Sequence, residues 1–294
     1  MSTPAIQVRG LFKKFGHFVA LDHLSFDVSQ GSIHGFLGPN GSGKSTAIRT
    51  LIGVLTPAAG QVEVLGQDPI KNPRVLKQVG YVPGDIALWE NLRGGEVLRT
   101  MESLRGIKND PVREAELIEA FAFDPTKKVR EYSTGNRRKA SIIAAMAHRP
   151  ELLILDEPTA GLDPLMEQVF MREIRRARDE GATVFLSSHI LSEVEALCDY
   201  VTVLKEGRAV ASNEVSYLRQ ISAHHISASI ADIPLQLRRD PKVEFDNGQL
   251  RITTTAENVP NILRIIIDAG GQDITSTPAS LEEMFFKNFE RRES

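Results

Sequence analysis

The sequence has 294 residues but only one cysteine, Cys198, and one tryptophan, Trp89. A lone thiol excludes a disulfide framework and any zinc site built on paired cysteines. Cys198 lies in the apolar stretch Leu191 to Cys198 and reads as a core residue. Long hydrophobic runs are missing: the longest candidate, Ala140 to Ala147, falls far short of the ~18 to 20 residues that cross a bilayer. The start, Met1-Ser2-Thr3-Pro4, has no signal-peptide pattern. Neither sign of charge dominates, with 35 Lys plus Arg against 38 Asp plus Glu and a net charge of −3. That balance speaks against broad, non-specific nucleic-acid binding, which needs a basic surplus or face. Internal repeats and low-complexity segments are also absent. With 41% hydrophobic and 25% charged residues, the expectation is a soluble, globular, cytoplasmic protein.

Four short runs, Ile33 to Leu37, Leu152 to Leu155, Thr183 to Leu186 and Val201 to Leu204, are almost wholly apolar. Strands buried on both faces of a parallel sheet have this character. Between them lie amphipathic segments such as Asp163 to Ala177, where Leu165, Val169, Ile174 and Ala177 recur at roughly helical spacing. By contrast, Ile6 to Val8, Leu24 to Val28 and Gln61 to Leu65 alternate, as half-exposed antiparallel strands do. The fold expected is α/β, a parallel core with an antiparallel flank. Around Ser212 to Ala223 the pattern changes. Strand-like runs follow at His225 to Ile230 and Leu250 to Thr254, with a turn at Asp246-Asn247-Gly248. A helix is expected over Asn258 to Ala269, ending at Gly270-Gly271, then a strand over Ile274 to Thr277. A terminal helix starts at Ser280, with Glu283 as its capping-box partner. The division expected is residues 1–220 and a small α+β domain, residues 221–294.

Gly38-Pro39-Asn40-Gly41-Ser42-Gly43-Lys44-Ser45 fits G-x-x-x-x-G-K-[ST], between an apolar run and a helical stretch, Thr46 to Leu55. Such a loop turns backbone N–H groups toward phosphate oxygens at a helix N-terminus whose dipole favours an anion. Lys44 then reaches the β- and γ-phosphates, and the Ser45 hydroxyl suits Mg²⁺. The run Leu152 to Leu155 ends in Asp156-Glu157. It puts Asp156 at the carboxyl edge of a buried strand, positioned to hold Mg²⁺, and Glu157 beside it as the group to orient or deprotonate an attacking water.

Further motifs lie between and after these two. Tyr132-Ser133-Thr134-Gly135-Asn136 opens the helical stretch Arg137 to Ala147, Pro158-Thr159-Ala160-Gly161-Leu162-Asp163 follows Glu157, and Ser188-His189 closes an apolar run. In order and spacing they resemble the signature, D-loop and switch histidine of ATP-binding-cassette (ABC) proteins, over roughly residues 5 to 215. The resemblance implies a P-loop NTPase cassette: a parallel core sheet, an antiparallel β flank and a helical signature subdomain. It implies ATP and Mg²⁺ as ligands, with Lys44, Glu157 and His189 catalytic and with Ser45 and Asp156 on the metal. The loop from Gly38 through Thr46 would cradle the phosphates, and Phe15 would stack on adenine. It implies a homodimer that sandwiches two ATPs, in which Ser133 and Gly135 touch the γ-phosphate held by the opposite chain and Asp163 crosses the interface. It also implies a separate multi-spanning permease, a place on the cytoplasmic face of the membrane, and no nucleic-acid partner. The branch it looks most like is the ATPase subunit of daunorubicin-resistance-type exporters, whose chains end in a segment similar to Ala279 to Phe285.

The sequence departs from the family pattern at three places. Tyr132, Thr134 and Asn136 stand where Leu, Gly and Gln are usual; Phe15 replaces the commoner Tyr; Gly84 replaces the Q-loop glutamine, with Asp85 as the adjacent candidate substitute. Trp89, just past Gly84, lies in the region similar to the family's groove for the permease. Only His189 among the seven histidines has positional support. His224-His225 reads as a strand start, and the arginines from Arg172 to Arg178, interspersed with acids, as a solvated helix face. A cassette acting on DNA or ribosomes is the competing class. Its DNA-repair members place a long coiled coil between the nucleotide motifs, and no sustained heptads occur here.

Overall fold

The structure, a computed structural model, describes residues 3–217, 223–238, 240 and 242–278. The chain divides into two compact units, Met1–Asn213 and Glu214–Ser294. The terminal helix expected from Ser280, with Glu283 and the segment Ala279 to Phe285, lies outside the described residues, as do residues 218–222 around the expected boundary.

The first unit is built on a six-stranded sheet in the order β5-β6-β7-β3-β8-β9. Its strands are β3 (Ile33–Leu37), β5 (Val79–Val82), β6 (Leu152–Asp156), β7 (Thr183–Ser188), β8 (Tyr200–Lys205) and β9 (Arg208–Glu214). The pairs β5/β6, β6/β7, β3/β7 and β3/β8 are parallel. Every residue of β3, β6 and β7 is buried, which is why these strands lack polar alternation in sequence. Against this sheet stands an antiparallel one, in the order β2-β1-β4, made of β1 (Ile6–Phe15), β2 (Phe18–Val28) and β4 (Ala59–Val64). One core fills the space between them and α1 (Lys44–Leu51): Ile6, Val8, Phe26, Phe36, Ile48, Ile154 and Phe185 are all nearly or wholly buried. Phe26 stacks on Phe185 with ring centroids 5.5 Å apart. Burying each such side chain contributes about 1.5–3 kcal/mol.

Helices α2 (Gly94–Arg105), α3 (Pro111–Ala120) and α4 (Thr134–Met146) pack together, and α4 leans on β5. Then come α5 (Pro164–Asp179) and α6 (Leu191–Leu197). Two local expectations are corrected. The first helix ends at Leu51 rather than Leu55, because Gly53 turns into the left-handed region at φ 72°. On α5 the buried face runs through Met166, Val169, Phe170 and Ile174, and Leu165, one helical step off that face, is 65% exposed. Cys198 is buried, and burial pushes its thiol up, so it is an unreactive core residue.

The second unit is a four-stranded antiparallel sheet in the order β11-β12-β10-β13. Its elements are β10 (Ala223–Ser229), β11 (Val243–Asp246), β12 (Gln249–Thr255), α7 (Val259–Asp268) and β13 (Gln272–Pro278). Ile262 and Ile266 of α7 join Ile226, Ala228, Leu250 and Ile252 of the sheet in a core of its own. His225 lies across from Thr253, with Nδ1 and Oγ1 3.1 Å apart, and no group of three His, Cys, Asp or Glu among the described residues is placed to hold a metal ion.

Candidate functional site

The loop Gly38 to Gly43 joins the carboxyl end of β3 to α1. Gly43 has φ 107°, and a Cβ there would lie 2.5 Å from the Ala20 carbonyl oxygen, so only glycine allows this approach. Gly38 and Ser42 are buried, Ser45 and Thr46 are half-buried, and Pro39, Asn40 and Gly41 are exposed. Lys44, only 4% exposed, donates from Nζ to the carbonyls of Gly38 at 2.7 Å and Pro39 at 3.2 Å. Its Nζ is also 3.4 Å from Glu157 Oε1.

Glu157 follows β6 with φ 47°, a left-handed backbone unusual for a residue with a side chain. The same Oε1 stands 3.3 Å from His189 Nδ1. Thus Lys44 and His189, from two other chain segments, converge on one oxygen of the Glu157 carboxylate. Behind them, Ser187 Oγ donates to Asp156 Oδ1 at 2.6 Å and accepts from the Glu157 N–H at 3.1 Å. Asp156 is 3% exposed. Ser187, wholly buried, is a residue that sequence reasoning missed; its signal was a hydroxyl ending an otherwise apolar run. A Cβ on Gly84 would meet Asp156 Oδ2 at 3.2 Å, so the backbone at the Q-loop position runs directly over this carboxylate.

The other predicted residues stand outside this cluster. Ser133 caps α4, its Oγ accepting from Asn136 N–H at 3.3 Å. Gly135 packs on the loop after Glu157, where a Cβ would lie 2.8 Å from the Gly161 carbonyl oxygen. Asp163 caps α5, its Oδ1 accepting from the N–H groups of Leu165 and Met166. Phe15 is 47% exposed near the tip of the β1–β2 hairpin, with Lys13 Nζ 5.3 Å from its ring centroid. None of these four is joined to the Lys44–Glu157–His189 group by a hydrogen bond or ion pair among the described residues. Tyr132, in the place of the usual signature leucine, is buried and donates to the Asp124 carbonyl at 2.6 Å; burial pushes its hydroxyl up to about 12.

Two residues that sequence reasoning passed over hold the loops of the site. Arg138 of α4 donates to the carbonyls of Pro83, Gly84 and Ala160. Glu193 of α6 accepts from Thr159 Oγ1 at 2.8 Å and Ser188 Oγ at 2.7 Å.

Chains of similar sequence and fold are found among known proteins. The ABC transporter family pattern matches residues 21–160. The bacitracin transport ATP-binding protein of Bacillus licheniformis is 36% identical, covering 98% of this chain and 97% of its own. The chain belongs to the ABC transporter family. A daunorubicin resistance ATP-binding protein of Streptomyces coeruleorubidus is 33% identical, covering 97% of this chain and 96% of its own. Among solved structures, an ATP-binding subunit of an ABC transporter superposes with a TM-score of 0.68 at 28% identity, over 74% of this chain and 92% of that one. The protein is the ATP-binding subunit of an ABC exporter, and its reaction is ATP hydrolysis. Among the described residues of this cassette, no helix is long and apolar enough to cross a membrane.

Proposed function

We propose that the cassette hydrolyses ATP with Glu157 as general base. The supporting observation is the convergence of Lys44 Nζ and His189 Nδ1 on Glu157 Oε1 beside a phosphate-type loop. The loop amides and Lys44 hold the β- and γ-phosphates. Glu157 takes a proton from water as the water oxygen bonds to the γ-phosphorus. The bond from that phosphorus to the β–γ bridging oxygen breaks, leaving ADP and inorganic phosphate. His189 contacts the γ-phosphate and steadies the Glu157 carboxylate.

Mg²⁺ fits the donor set: the buried Asp156 carboxylate and the Ser45 hydroxyl are hard oxygens. Two protein oxygens leave room for the waters and phosphate oxygens this ion retains. When bound, it neutralises charge on the phosphates. Phe15, exposed on the hairpin, is the stacking surface for adenine.

Two such cassettes close around two ATPs. In that arrangement Ser133 and Gly135, at the N-terminus of α4, meet the γ-phosphate held by the partner, and Asp163 lies at the seam. The dimer sits on the cytoplasmic face of the membrane and drives a separate multi-spanning permease. The small second unit, placed at residues 221–294 from sequence, supports the dimer. The test is purification from the protein's own membranes in mild detergent. A stoichiometric polytopic protein is the expected companion. A protein travelling alone, or with ribosomes or DNA, would overturn the permease assignment while leaving the ATPase chemistry in place.

A further inference from the structure

The Glu157–His189 pair is assembled from the two loops that leave β6 and β7, and one side chain touches both. Glu193 Oε1 accepts from Thr159 Oγ1 at 2.8 Å, two residues beyond Glu157. Its other oxygen, Oε2, accepts from Ser188 Oγ at 2.7 Å, the residue directly before His189. Ser188 is buried and Thr159 half-buried, so neither hydroxyl is freely solvated. Glu193 itself lies in the first turn of α6, which packs on β3 and β7 and so gives the carboxylate a fixed base. The loop it holds leaves a left-handed Glu157, at φ 47°, a conformation that persists only where surrounding contacts enforce it. On the far side the same loop is held at the Ala160 carbonyl by Arg138 Nε.

We propose that Glu193 is a positioning residue for hydrolysis: its two carboxylate oxygens tie Thr159 to Ser188 and thereby set the Glu157–His189 geometry. The idea rests on Glu157 being the base. Binding of ATP is left to the phosphate loop, which Glu193 does not touch, so losing Glu193 lowers kcat and spares nucleotide affinity. The carboxylate accepts from both hydroxyls with its full charge. A glutamine of the same shape keeps one accepting oxygen and puts a donor in place of the other. The hydroxyl facing that donor can turn and accept from it, so the bridge persists in a neutral, weaker form.

The experiment uses the full chain, measuring steady-state kcat and KM for MgATP and the dissociation constant of a fluorescent ADP analogue. Glu193→Ala is expected to lose about 10- to 100-fold in kcat, as small misplacements of catalytic groups do. KM and analogue affinity should change by less than about two-fold, the pattern of an interaction that matters only in the transition state. Glu193→Gln should fall between wild type and alanine. Thr159→Val removes one arm with little change in shape. It should cost part of kcat in the wild-type background and nothing further when added to Glu193→Ala, because partners in one network are not additive. Thr159→Val also keeps the idea testable if Glu193→Ala does not fold. Wild-type kcat in Glu193→Ala, or in Thr159→Val, overturns the proposal. So does a kcat loss matched by an equal loss of analogue affinity, the mark of general damage. Glu157→Gln runs alongside: continued turnover there sinks the base assignment itself, whereas a dead Glu157→Gln with a normal Glu193→Ala sinks only the clamp.

Discussion

The carbonyl oxygen of Gly84 accepts a hydrogen bond from Arg138 Nη2 at 2.8 Å. Gly84 occupies the position where the family resemblance leads one to expect a glutamine side chain. Here the tether runs the other way, from the helix that follows the signature to the backbone of that loop. Arg138 is 4% exposed, and its guanidinium also reaches the carbonyls of Pro83 at 2.8 Å and Ala160 at 3.2 Å. One planar fork therefore joins three segments: the Q-loop position, the signature helix and the loop after Glu157.

A lysine cannot imitate that fork, since a compact ammonium on a flexible stem does not span three carbonyls on two loops. Arg138→Lys loses at least one charge-assisted hydrogen bond to these partly buried carbonyls, at about 1–3 kcal/mol. The expected outcome is a melting temperature lower by roughly 2–10 °C together with a several-fold slower ATPase. Wild-type melting and turnover in this variant would mean that the three carbonyls find other partners.

Under the proposed mechanism, Glu157→Gln removes the proton acceptor but keeps the shape of the side chain. Turnover is expected to fall by about 100-fold or more, with ATP affinity retained and ATP-bound dimers accumulating. Lys44→Ala is expected to behave differently, because the proposal gives Lys44 a charge directed at the phosphates: nucleotide binding itself should be lost. Titration of both variants with a fluorescent ATP analogue separates the two roles. Unchanged affinity in Lys44→Ala would remove the phosphate-site assignment.

How much of this was legible beforehand depends on burial. β3, β6 and β7 could be read directly, since burial on both faces leaves uninterrupted apolar runs. The β1–β2 hairpin was readable only at its core end. Toward the tip, Lys13, Lys14, Phe15 and Phe18 reach solvent and register shifts break the alternation. β5 was not recognised as a strand: it is four residues long and includes Gly80, which presses against the Ala145 carbonyl. Lys44, Asp156, Glu157 and His189 can be named as candidates from sequence because motif spacing carries them. Arg138 and Glu193 cannot, because their partners are carbonyls and hydroxyls, all but Ser188 far away in sequence, and on a helical wheel both look like ordinary charged residues.

The second unit has its own core, and Ile266 of α7 lies at its centre with no exposed surface. Ile266→Ala leaves a cavity that costs about 2–5 kcal/mol. Because this core is made only of residues of the second unit, the loss should be confined to that unit. Hydrogen exchange is the suitable check: amides of β10 and β12 should exchange faster, and those of β3 and β6 should not. Uniformly faster exchange through both units would mean that they unfold as one.

Stability should fall in mild acid, and His34 is the residue to follow. It sits on β3 at 2% exposure among Phe26, Phe185 and Tyr200, with Nε2 2.9 Å from Thr202 Oγ1. Burial lowers its pKa from 6.5 to about 4. The unfolded chain therefore takes up this proton near pH 6.5, while the folded chain refuses it until near pH 4. Folding stability from this residue is thus fully present above the higher value, erodes as pH falls between the two, and levels off below the lower one. At pH 5 the loss is about 2 kcal/mol. His148, lowered to about 4 by burial and by the charge of Arg105, acts in the same direction. His34→Phe keeps a ring in the aromatic cluster but removes the titration. Thr202 keeps Ser212 as a hydrogen-bond partner. Urea unfolding at a series of pH values should give His34→Phe a distinctly shallower decline than wild type between pH 6.5 and the folded-state value near 4. An identical decline in both proteins would show that acid acts through other groups.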